Sequence, residues 1–133
     1  MTFLDTGILV GAVLEKHPEH AVCLEAVMES DAPFTDAHAL AETFATLTGF
    51  YKVPVADATE LTLALKSRLA VEALQLADYE RAIAEAKPRG VMGGGIYDSL
   101  HATFARRKGA KRVVTRNPSH FAHAAPDLEI LTP

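Results

Sequence analysis

The 133-residue sequence predicts an α/β fold, in which helices cover both faces of a mainly parallel sheet. Two observations carry this prediction. Short apolar runs of strand length alternate with longer segments whose apolar residues recur every three or four positions. No repeat, low-complexity tract or long linker divides the chain, and its length is that of one compact domain. We therefore expect a single domain over residues 1–133.

The first elements are a strand and two helical segments. Residues 1–4 indicate a short buried strand, and Asp5 and Thr6 follow them. Residues 8–10 indicate a brief helical turn. Pro18 suits the first turn of a longer helix. The apolar residues of that helix recur at helical spacing: Ala21, Leu24, Val27 and Met28.

A second strand candidate at residues 33–35 is too short to assign by itself, but a clear helix start follows it. Asp36 is a good cap for a helix that ends at Gly49. Its apolar positions are Leu40, Phe44 and Leu47.

The middle of the chain predicts two more helices with a strand between them. Asp57 opens the first, which runs through Leu61, Leu65 and Leu69. Residues 70–76 indicate a strand. Asp78 then caps a helix to about Lys87, which Pro88 stops.

The C-terminal part begins with a glycine loop at residues 93–95. A helix follows and extends to Gly109. Residues 111–115 and 128–131 predict two further strands, and residues 117–118 predict a turn between them.

Composition excludes several classes of protein. The single cysteine, Cys23, rules out an internal disulfide and gives no metal-site spacing. No apolar run approaches the roughly 20 residues that span a bilayer, and the first residues lack the pattern of an export signal. We therefore expect a cytoplasmic protein with no membrane contact.

The net charge of −4 argues against a generally basic surface for polyanions, but the basic residues are unevenly distributed. Six of the 13 lie in one short stretch: Arg106, Arg107, Lys108, Lys111, Arg112 and Arg116. Two interpretations stay open. The stretch is either a solvated helix end, where cations favour the helix dipole, or a contact for an anionic partner.

Four polar side chains are expected at the edge of the sheet where parallel strands end, which is where α/β proteins bind ligands. They are Asp5, Glu42, Asp98 and Asn117. Each has an ordinary structural explanation as a helix cap or a turn residue. Together, however, their carboxylates would repel and raise one another's pKa. A divalent cation such as Mg²⁺ or Mn²⁺ removes that penalty and activates water.

Four motifs in this order resemble a PIN domain and, more narrowly, the VapC-type toxins of toxin–antitoxin pairs. They are Phe3-Leu4-Asp5-Thr6, Ala41-Glu42, Gly95-Ile96-Tyr97-Asp98-Ser99-Leu100-His101-Ala102 and Val114-Thr115-Arg116-Asn117-Pro118-Ser119-His120-Phe121. The resemblance covers residues 2–131 and implies a three-layer α/β/α sandwich with a mainly parallel central sheet.

The resemblance also implies roles for the polar residues. Asp5, Glu42 and Asp98 correspond to the acidic ligands of Mg²⁺ or Mn²⁺, direct or through water, and act in catalysis together with Asn117. Many members of the family carry Asp at the position of Asn117. An amide brings no charge, which favours one ion over two.

Three residues are expected behind these ligands. Thr115 matches the small hydroxyl residue near the acidic cluster of the family, and Thr6 directly follows the first ligand. His101 follows Asp98 by one helical turn and is therefore expected to support it.

The implied reaction is metal-dependent hydrolysis of single-stranded RNA, which leaves a 5′-phosphate and a 3′-hydroxyl. Asp5 and Asp98 would hold the ion, while Glu42 would complete its shell or orient the attacking water. The basic stretch would then guide the RNA backbone towards the acids through Arg106, Arg107 and Arg116.

The implied partners are a VapB-like antitoxin that supplies a helix and a basic side chain near the acids, an RNA that is single-stranded or structured, and a second copy of the chain in a homodimer. Leu61 and Leu65 are candidates for an interface, although their helical spacing favours the core.

Alternative functions stay open at this point. A histidine metal site is possible because His38 and Glu42 share a helix face, but surface or supporting roles suit these histidines better. The main alternative is a weakened PIN-like module for protein contact, in which Asn117 marks a decayed site. A phospho-acceptor domain is a distant third.

Overall fold

The computed structural model describes all 133 residues and contains one sheet of five parallel strands. The order of the strands across the sheet is β3-β2-β1-β4-β5. The strands are β1 (Thr2–Leu4), β2 (Pro33–Asp36), β3 (Ala70–Glu72), β4 (Arg112–Val114) and β5 (Glu129–Leu131). Phe3 pairs with Phe34 on one side and with Val113 on the other, which makes β1 the centre of the sheet.

Eight α-helices connect the strands and cover the sheet. They are α1 (Thr6–Val13), α2 (His20–Glu29), α3 (Ala37–Gly49), α4 (Val55–Ala64), α5 (Leu76–Ala84), α6 (Ala86–Arg89), α7 (Gly95–Arg107) and α8 (Pro118–Ala124). A 3₁₀ turn at Leu65–Ser67 follows α4. None of these helices has the length and the apolar character that a membrane crossing requires.

Alternation along the central strand separates two cores. Phe3 packs in a cluster with Phe104 of α7 and Phe121 of α8. The next residue, Leu4, packs on the opposite face with Ile8 of α1, and the same cluster includes residues of α2 and α3. Successive side chains of a strand point to opposite faces, so this segregation defines a three-layer α/β/α sandwich. The predicted fold class is confirmed.

Local signals placed several helix boundaries correctly. The Asp36 side chain accepts a hydrogen bond from the Ala39 amide at 2.9 Å, which caps α3 as expected, and α3 ends at Gly49. Cys23 is a buried core residue, and Leu65 is buried rather than free for an interface.

Other boundaries differ from the prediction because packing extends or shortens the element. The brief turn at residues 8–10 is the full helix α1, and β2 is a strand that its length did not reveal. The fourth helix begins at Val55 rather than Asp57 and ends at Ala64, before Leu69. The strand expected over residues 70–76 covers only Ala70–Glu72.

Two corrections concern proline and capping. Pro88 does not stop a helix but lies inside the short helix α6, which ends at the left-handed Gly90. Pro118 begins α8, where only a turn was expected, because proline suits the first helical position. Asp78 is the third residue of α5 rather than its cap, and it accepts a hydrogen bond from the Gln75 amide at 2.8 Å.

We expect Gly11→Ala to lower the free energy of unfolding by about 1–3 kcal/mol, because it overpacks the contact between α1 and α2. A Cβ atom at Gly11 would lie 2.5 Å from Sγ and 2.9 Å from Cβ of Cys23. Gly49→Ala is the control, since nothing lies within 4 Å of its Cβ position. Urea denaturation measures both, and equal stability of Gly11→Ala and the wild type would contradict this packing.

Candidate active site

The carboxyl edge of the sheet carries a polar cavity of about 240 Å³. Asp5 reaches it from the end of β1, Glu42 from α3, and Asp98 from the first turn of α7. Three carboxylates that lie far apart in the sequence therefore line one cavity. Thr6, Arg116, Asn117 and His120 line it as well.

Asp5 is the most firmly held of the three carboxylates. Its Oδ1 accepts a hydrogen bond from the Thr6 amide at 2.8 Å, and its Oδ2 accepts one from the Thr115 hydroxyl at 2.7 Å. The Thr115 hydroxyl in turn accepts from the Asn117 amide at 3.0 Å. Burial raises the pKa of Asp5, although the bond from Thr115 opposes the shift. Asp5 is thus a fixed carboxylate in surroundings that disfavour its charge.

Asp98 is half-buried and lies in the electric field of the other acids. Burial raises its pKa, and the negative charge of Asp5 raises it further. His120 is the nearest basic group, with Nδ1 at 3.6 Å from the Asp98 carboxylate, but its side chain is 59% exposed. The charge of the buried His101 also lowers the pKa of Asp98, but the two histidines do not outweigh burial and the charge of Asp5.

Glu42 is bound differently, because histidines hold one of its two oxygens. Nε2 of the buried His101 lies 2.8 Å from Oε1, and Nε2 of His38 lies 3.3 Å from the same atom. The other ring nitrogen of His101 lies 2.6 Å from Asp36. Burial alone would lower the pKa of His101, but the bonds to Asp36 and Glu42 outweigh it and raise the pKa to about 10.

The placement of His101 corrects one expectation. Its helical spacing from Asp98 suggested that it would support that residue, yet the hydrogen bonds of its ring go to Asp36 and Glu42. The reason is that the end of β2 and the helix α3 that follows it each present one carboxylate to the ring. Thr115 lies behind Asp5 and bonds to it through its hydroxyl, whereas Thr6 lines the cavity itself and bonds to Asp5 through its backbone amide.

The chemistry of these donors fits a hard divalent cation. No three His, Cys, Asp or Glu side chains are close enough to hold an ion as one compact group. Mg²⁺ needs only one or two carboxylates, because it keeps several waters in its shell. Asp5 and Asp98 supply those carboxylates, and the Thr6 hydroxyl beside them is buried without a partner in the protein. Oxygen donors suit Mg²⁺ or Mn²⁺ rather than a thiolate-seeking metal.

Of the three arginines predicted to contact RNA, only Arg116 lies at the cavity. Arg106 binds Asp127 and the Ala124 carbonyl, and Arg107 binds Asp78 through two nitrogens. Both are in the last turn of α7, about 12 Å along the helix from Asp98. The structure therefore does not bring Arg106 and Arg107 to the carboxylates.

The whole basic stretch is largely neutralised within the fold. Arg116 pairs with Glu19, and every other basic residue of the stretch except Lys111 has an acidic partner. The remaining pairs are Arg106–Asp127, Arg107–Asp78, Lys108–Glu72 and Arg112–Glu129. The local charge density that the sequence suggests is thus much reduced at the surface.

Sequence reasoning missed some residues of the site. His120 and Tyr51 line the cavity, and Asp36 anchors His101. If Pro118 had been recognised as the start of a helix, His120 would have been placed in the first turn of that helix, near the sheet edge. No local signal indicated that Tyr51, in the loop after α3, reaches the site.

These features define an α/β protein with an acidic cavity, suited to a divalent ion, at the carboxyl edge of a parallel sheet. The family model of the PIN domain matches residues 2–125, and the chain belongs to the PIN-domain family. PIN domains are generally nucleases. Among curated protein sequences, none matches this chain significantly.

Several solved structures share the fold. VapC20 from Mycobacterium tuberculosis, a sarcin-ricin loop cleaving toxin, is 17% identical over 85% of this chain and 87% of its own, with a TM-score of 0.72. VapBC2 from Rickettsia felis, bound to a DNA fragment from its promoter, is 21% identical over 99% of this chain and 98% of its own, with a TM-score of 0.73. FitAcB from Neisseria gonorrhoeae is 19% identical over 98% of this chain and 96% of its own, with a TM-score of 0.66.

We expect Asp98→Asn to stabilise the metal-free protein at pH 7, by on the order of 1 kcal/mol, because it removes a charge that burial and Asp5 disfavour. The raised pKa fixes the sign of the pH dependence. Above the raised pKa, Asp98 is charged in the folded wild type, and the difference in stability between the variant and the wild type has its full value. As the pH falls, Asp98 is protonated in the folded state before it is in the unfolded state. The difference therefore decreases below the raised pKa and vanishes towards the ordinary value of 3.8.

Thermal unfolding in EDTA across that pH range measures this effect. Asp31→Asn, at an exposed position, is the matched control. Addition of Mn²⁺ should raise the Tm of the wild type more than that of Asp98→Asn, since an ion that binds the folded state stabilises it. Destabilisation by Asp98→Asn in EDTA at pH 7 would contradict this account of the cavity.

Proposed function

We propose that the chain is a divalent-metal-dependent endoribonuclease, and that it is the toxin of a VapBC-type toxin–antitoxin pair. The observation that carries the proposal is that Asp5, Glu42 and Asp98, from three separate elements, line one cavity. The membership of the PIN-domain family and the shared fold with VapC20 support it.

In this proposal the carboxylates of Asp5 and Asp98 hold one Mg²⁺ or Mn²⁺ ion, and Glu42 completes its shell through water or orients the attacking water. The ion would lower the pKa of a bound water and stabilise negative charge on the phosphate. Thr115 keeps Asp5 in one orientation through its hydroxyl. Asn117 contributes an amide and no charge, which supports one ion rather than two.

The substrate in this proposal is the backbone of an RNA, single-stranded or at an unpaired part of a structured RNA. Hydrolysis forms a bond from the water oxygen to phosphorus and breaks the bond to the 3′-oxygen, which takes up a proton. The products are a 5′-phosphate and a 3′-hydroxyl. Arg116 and His120 line the cavity beside the carboxylates and are the cationic or polar groups that could contact the phosphate. Arg116 pairs with Glu19 through Nε, which leaves its other two nitrogens for such a contact.

A second cavity supports the proposal of an antitoxin partner. It has a volume of about 930 Å³ and lies along the end of α1, α2 and α4, where Leu24, Val27 and Leu61 line it. Tyr51 lines both this groove and the acidic cavity, so the two are adjacent. An apolar groove of this kind suits an amphipathic helix, whose following residues would reach the carboxylates with a basic side chain.

We also propose a homodimer, which the exposed apolar side chains support. Several lie on α5 and before or at the start of α7: Leu76, Tyr79, Ile83, Met92 and Tyr97. Exposed apolar surface of this extent is typical of an interface.

The alternative function is a weakened PIN-like module that serves protein contact. The absence of a compact group of three ligands and the uncharged Asn117 favour this alternative. The two functions differ in whether the protein cuts RNA when a divalent ion is supplied.

We expect the wild type to cleave single-stranded RNA with Mg²⁺ or Mn²⁺ and to be inactive in EDTA. Asp98→Asn should lower kcat/KM by about 10²–10³-fold, because it removes a carboxylate that would hold the ion, and the ion would stabilise the negative charge of the transition state. Asp31→Asn should cleave like the wild type, since Asp31 is exposed and remote from the cavity. End labelling should identify a 5′-phosphate on the downstream product. Failure of both ions to support cleavage would favour the binding module.

The groove is tested by a pair of substitutions on one helix. Leu24→Asp should abolish inhibition by the antitoxin and leave RNA cleavage intact, because it places a charge in the apolar lining. Val22→Asp is the matched control, since Val22 is similarly exposed on α2 but does not line the groove. Inhibition assays with the proposed VapB-like antitoxin measure both. Equal inhibition of the two variants would exclude the groove as the docking site.

A further inference from the structure

A buried histidine joins two carboxylates of neighbouring elements near the cavity. His101 of α7 is 1% exposed, and its Nδ1 lies 2.6 Å from Oδ2 of Asp36. Its Nε2 lies 2.8 Å from Oε1 of Glu42. Ionised carboxylates only accept hydrogen bonds, so both ring nitrogens donate and the ring is an imidazolium.

The Asp36 end of this bridge is rigid. Asp36 is the last residue of β2 and is fully buried, and its Oδ1 accepts a hydrogen bond from the Ala39 amide at 2.9 Å. The imidazole ring also packs against the Phe3 ring, with centroids 5.7 Å apart. The sheet edge and the start of α3 therefore fix the ring, and Nε2 has a defined position.

The Glu42 end is the flexible one, and the ring restrains it. The Glu42 side chain is 34% exposed and has three rotatable bonds, so without a partner it would occupy several rotamers. His101 and, at the longer distance of 3.3 Å, His38 hold its Oε1. No group of the protein bonds to its Oε2, and Glu42 lines the acidic cavity.

We propose that His101 is a positioning residue, which holds one oxygen of Glu42 so that the other oxygen serves the ion, or its water, in the cavity. The inference rests on the proposed nuclease function and deepens it by giving roles to His101 and Asp36. The positioning role requires the hydrogen bond from His101 to Glu42. A merely structural role of His101 would instead depend chiefly on its hydrogen bond to the fully buried Asp36.

Two isosteric substitutions separate the two ends of the bridge. In His101→Asn the amide nitrogen replaces Nδ1, which keeps the bond to Asp36 and releases Glu42. In His101→Gln the amide nitrogen replaces Nε2, which keeps the bond to Glu42 and leaves Asp36 without its partner. Because Asp36 is fully buried and Glu42 is partly exposed, His101→Gln should have the lower Tm.

If His101 positions Glu42, the two variants should rank in the opposite order for activity and for Mn²⁺ affinity, with His101→Asn the more impaired. We expect His101→Asn to lower kcat by about 10–100-fold with little change in KM, and His101→Gln to stay within about fivefold of the wild type. Calorimetric titration with Mn²⁺ is the second readout, and His101→Asn should bind the ion about tenfold more weakly than His101→Gln. His123→Asn and His123→Gln, at an exposed histidine of α8, are the matched controls.

The proposal is overturned if kcat and Mn²⁺ affinity follow the order of the Tm values, or if the two variants are equal. If the wild type cleaves no RNA with either ion, the proposed nuclease function fails, while the order of Mn²⁺ affinities still decides the positioning role. If His101→Gln does not fold, His101→Asn is combined with Glu42→Ala. Positioning then predicts that His101→Asn has no further effect on Mn²⁺ affinity once Glu42 is gone, and an additive effect would refute it.

Discussion

Two carboxylates, Asp5 and Asp98, share a cavity in which burial raises the pKa of both, and the charge of a neighbouring carboxylate raises each pKa further. Other buried or half-buried acids of the chain have cationic partners. Arg107 holds the pKa of Asp78 below its usual range, and the His101 imidazolium lies against Asp36. No buried cation is bonded to Asp5 or Asp98, and the charge of the nearby His101 only partly offsets the burial that raises the pKa of both. That contrast supports the proposal that the cavity binds an external cation.

The fold assembles this pair from distant parts of the sequence. The central strand β1 ends at Asp5, and Thr115 after the neighbouring strand β4 fixes the Asp5 carboxylate. Helix α7 brings Asp98, and its next turn brings His101, which crosses to α3 and holds Glu42. The sheet therefore fixes one carboxylate directly, whereas the two carboxylates on helices depend on contacts between helices. We expect the position of Glu42 to be the most sensitive to substitution of its neighbours, because its side chain is the least buried of the three.

The sequence predicted those parts of the structure that local chemistry determines. The cap at Asp36, the end of α3 at Gly49 and the first strand all follow from neighbouring residues. Strands of three or four residues are too short to show a period, so β2 is defined by its pairing with β1 and β3. Pro118 is compatible with both a turn and a helix start, and only the packing of Phe121 in the core decides for α8.

The same limit applies to the site. The order of motifs indicated Asp5, Glu42 and Asp98, and the structure places all three around one cavity. A run of basic residues does not reveal its partners, and Arg106 and Arg107 bind acids that lie 21 and 29 positions away. Helical spacing likewise related His101 to Asp98, whereas the partners of its ring come from β2 and α3, 65 and 59 positions away. Long-range pairing of side chains is what one sequence without its fold cannot supply.

The most direct measurement of the central claim is anomalous diffraction from crystals of the wild-type protein soaked in Mn²⁺. The account predicts one manganese peak in the acidic cavity, with oxygens of Asp5 and Asp98 in its coordination shell and Glu42 in that shell or one water away. The same soak of Asp98→Asn crystals should show a weaker peak or none. A cavity without manganese in the wild type, or an ion bound only elsewhere on the chain, would contradict the claim that these carboxylates form a metal site.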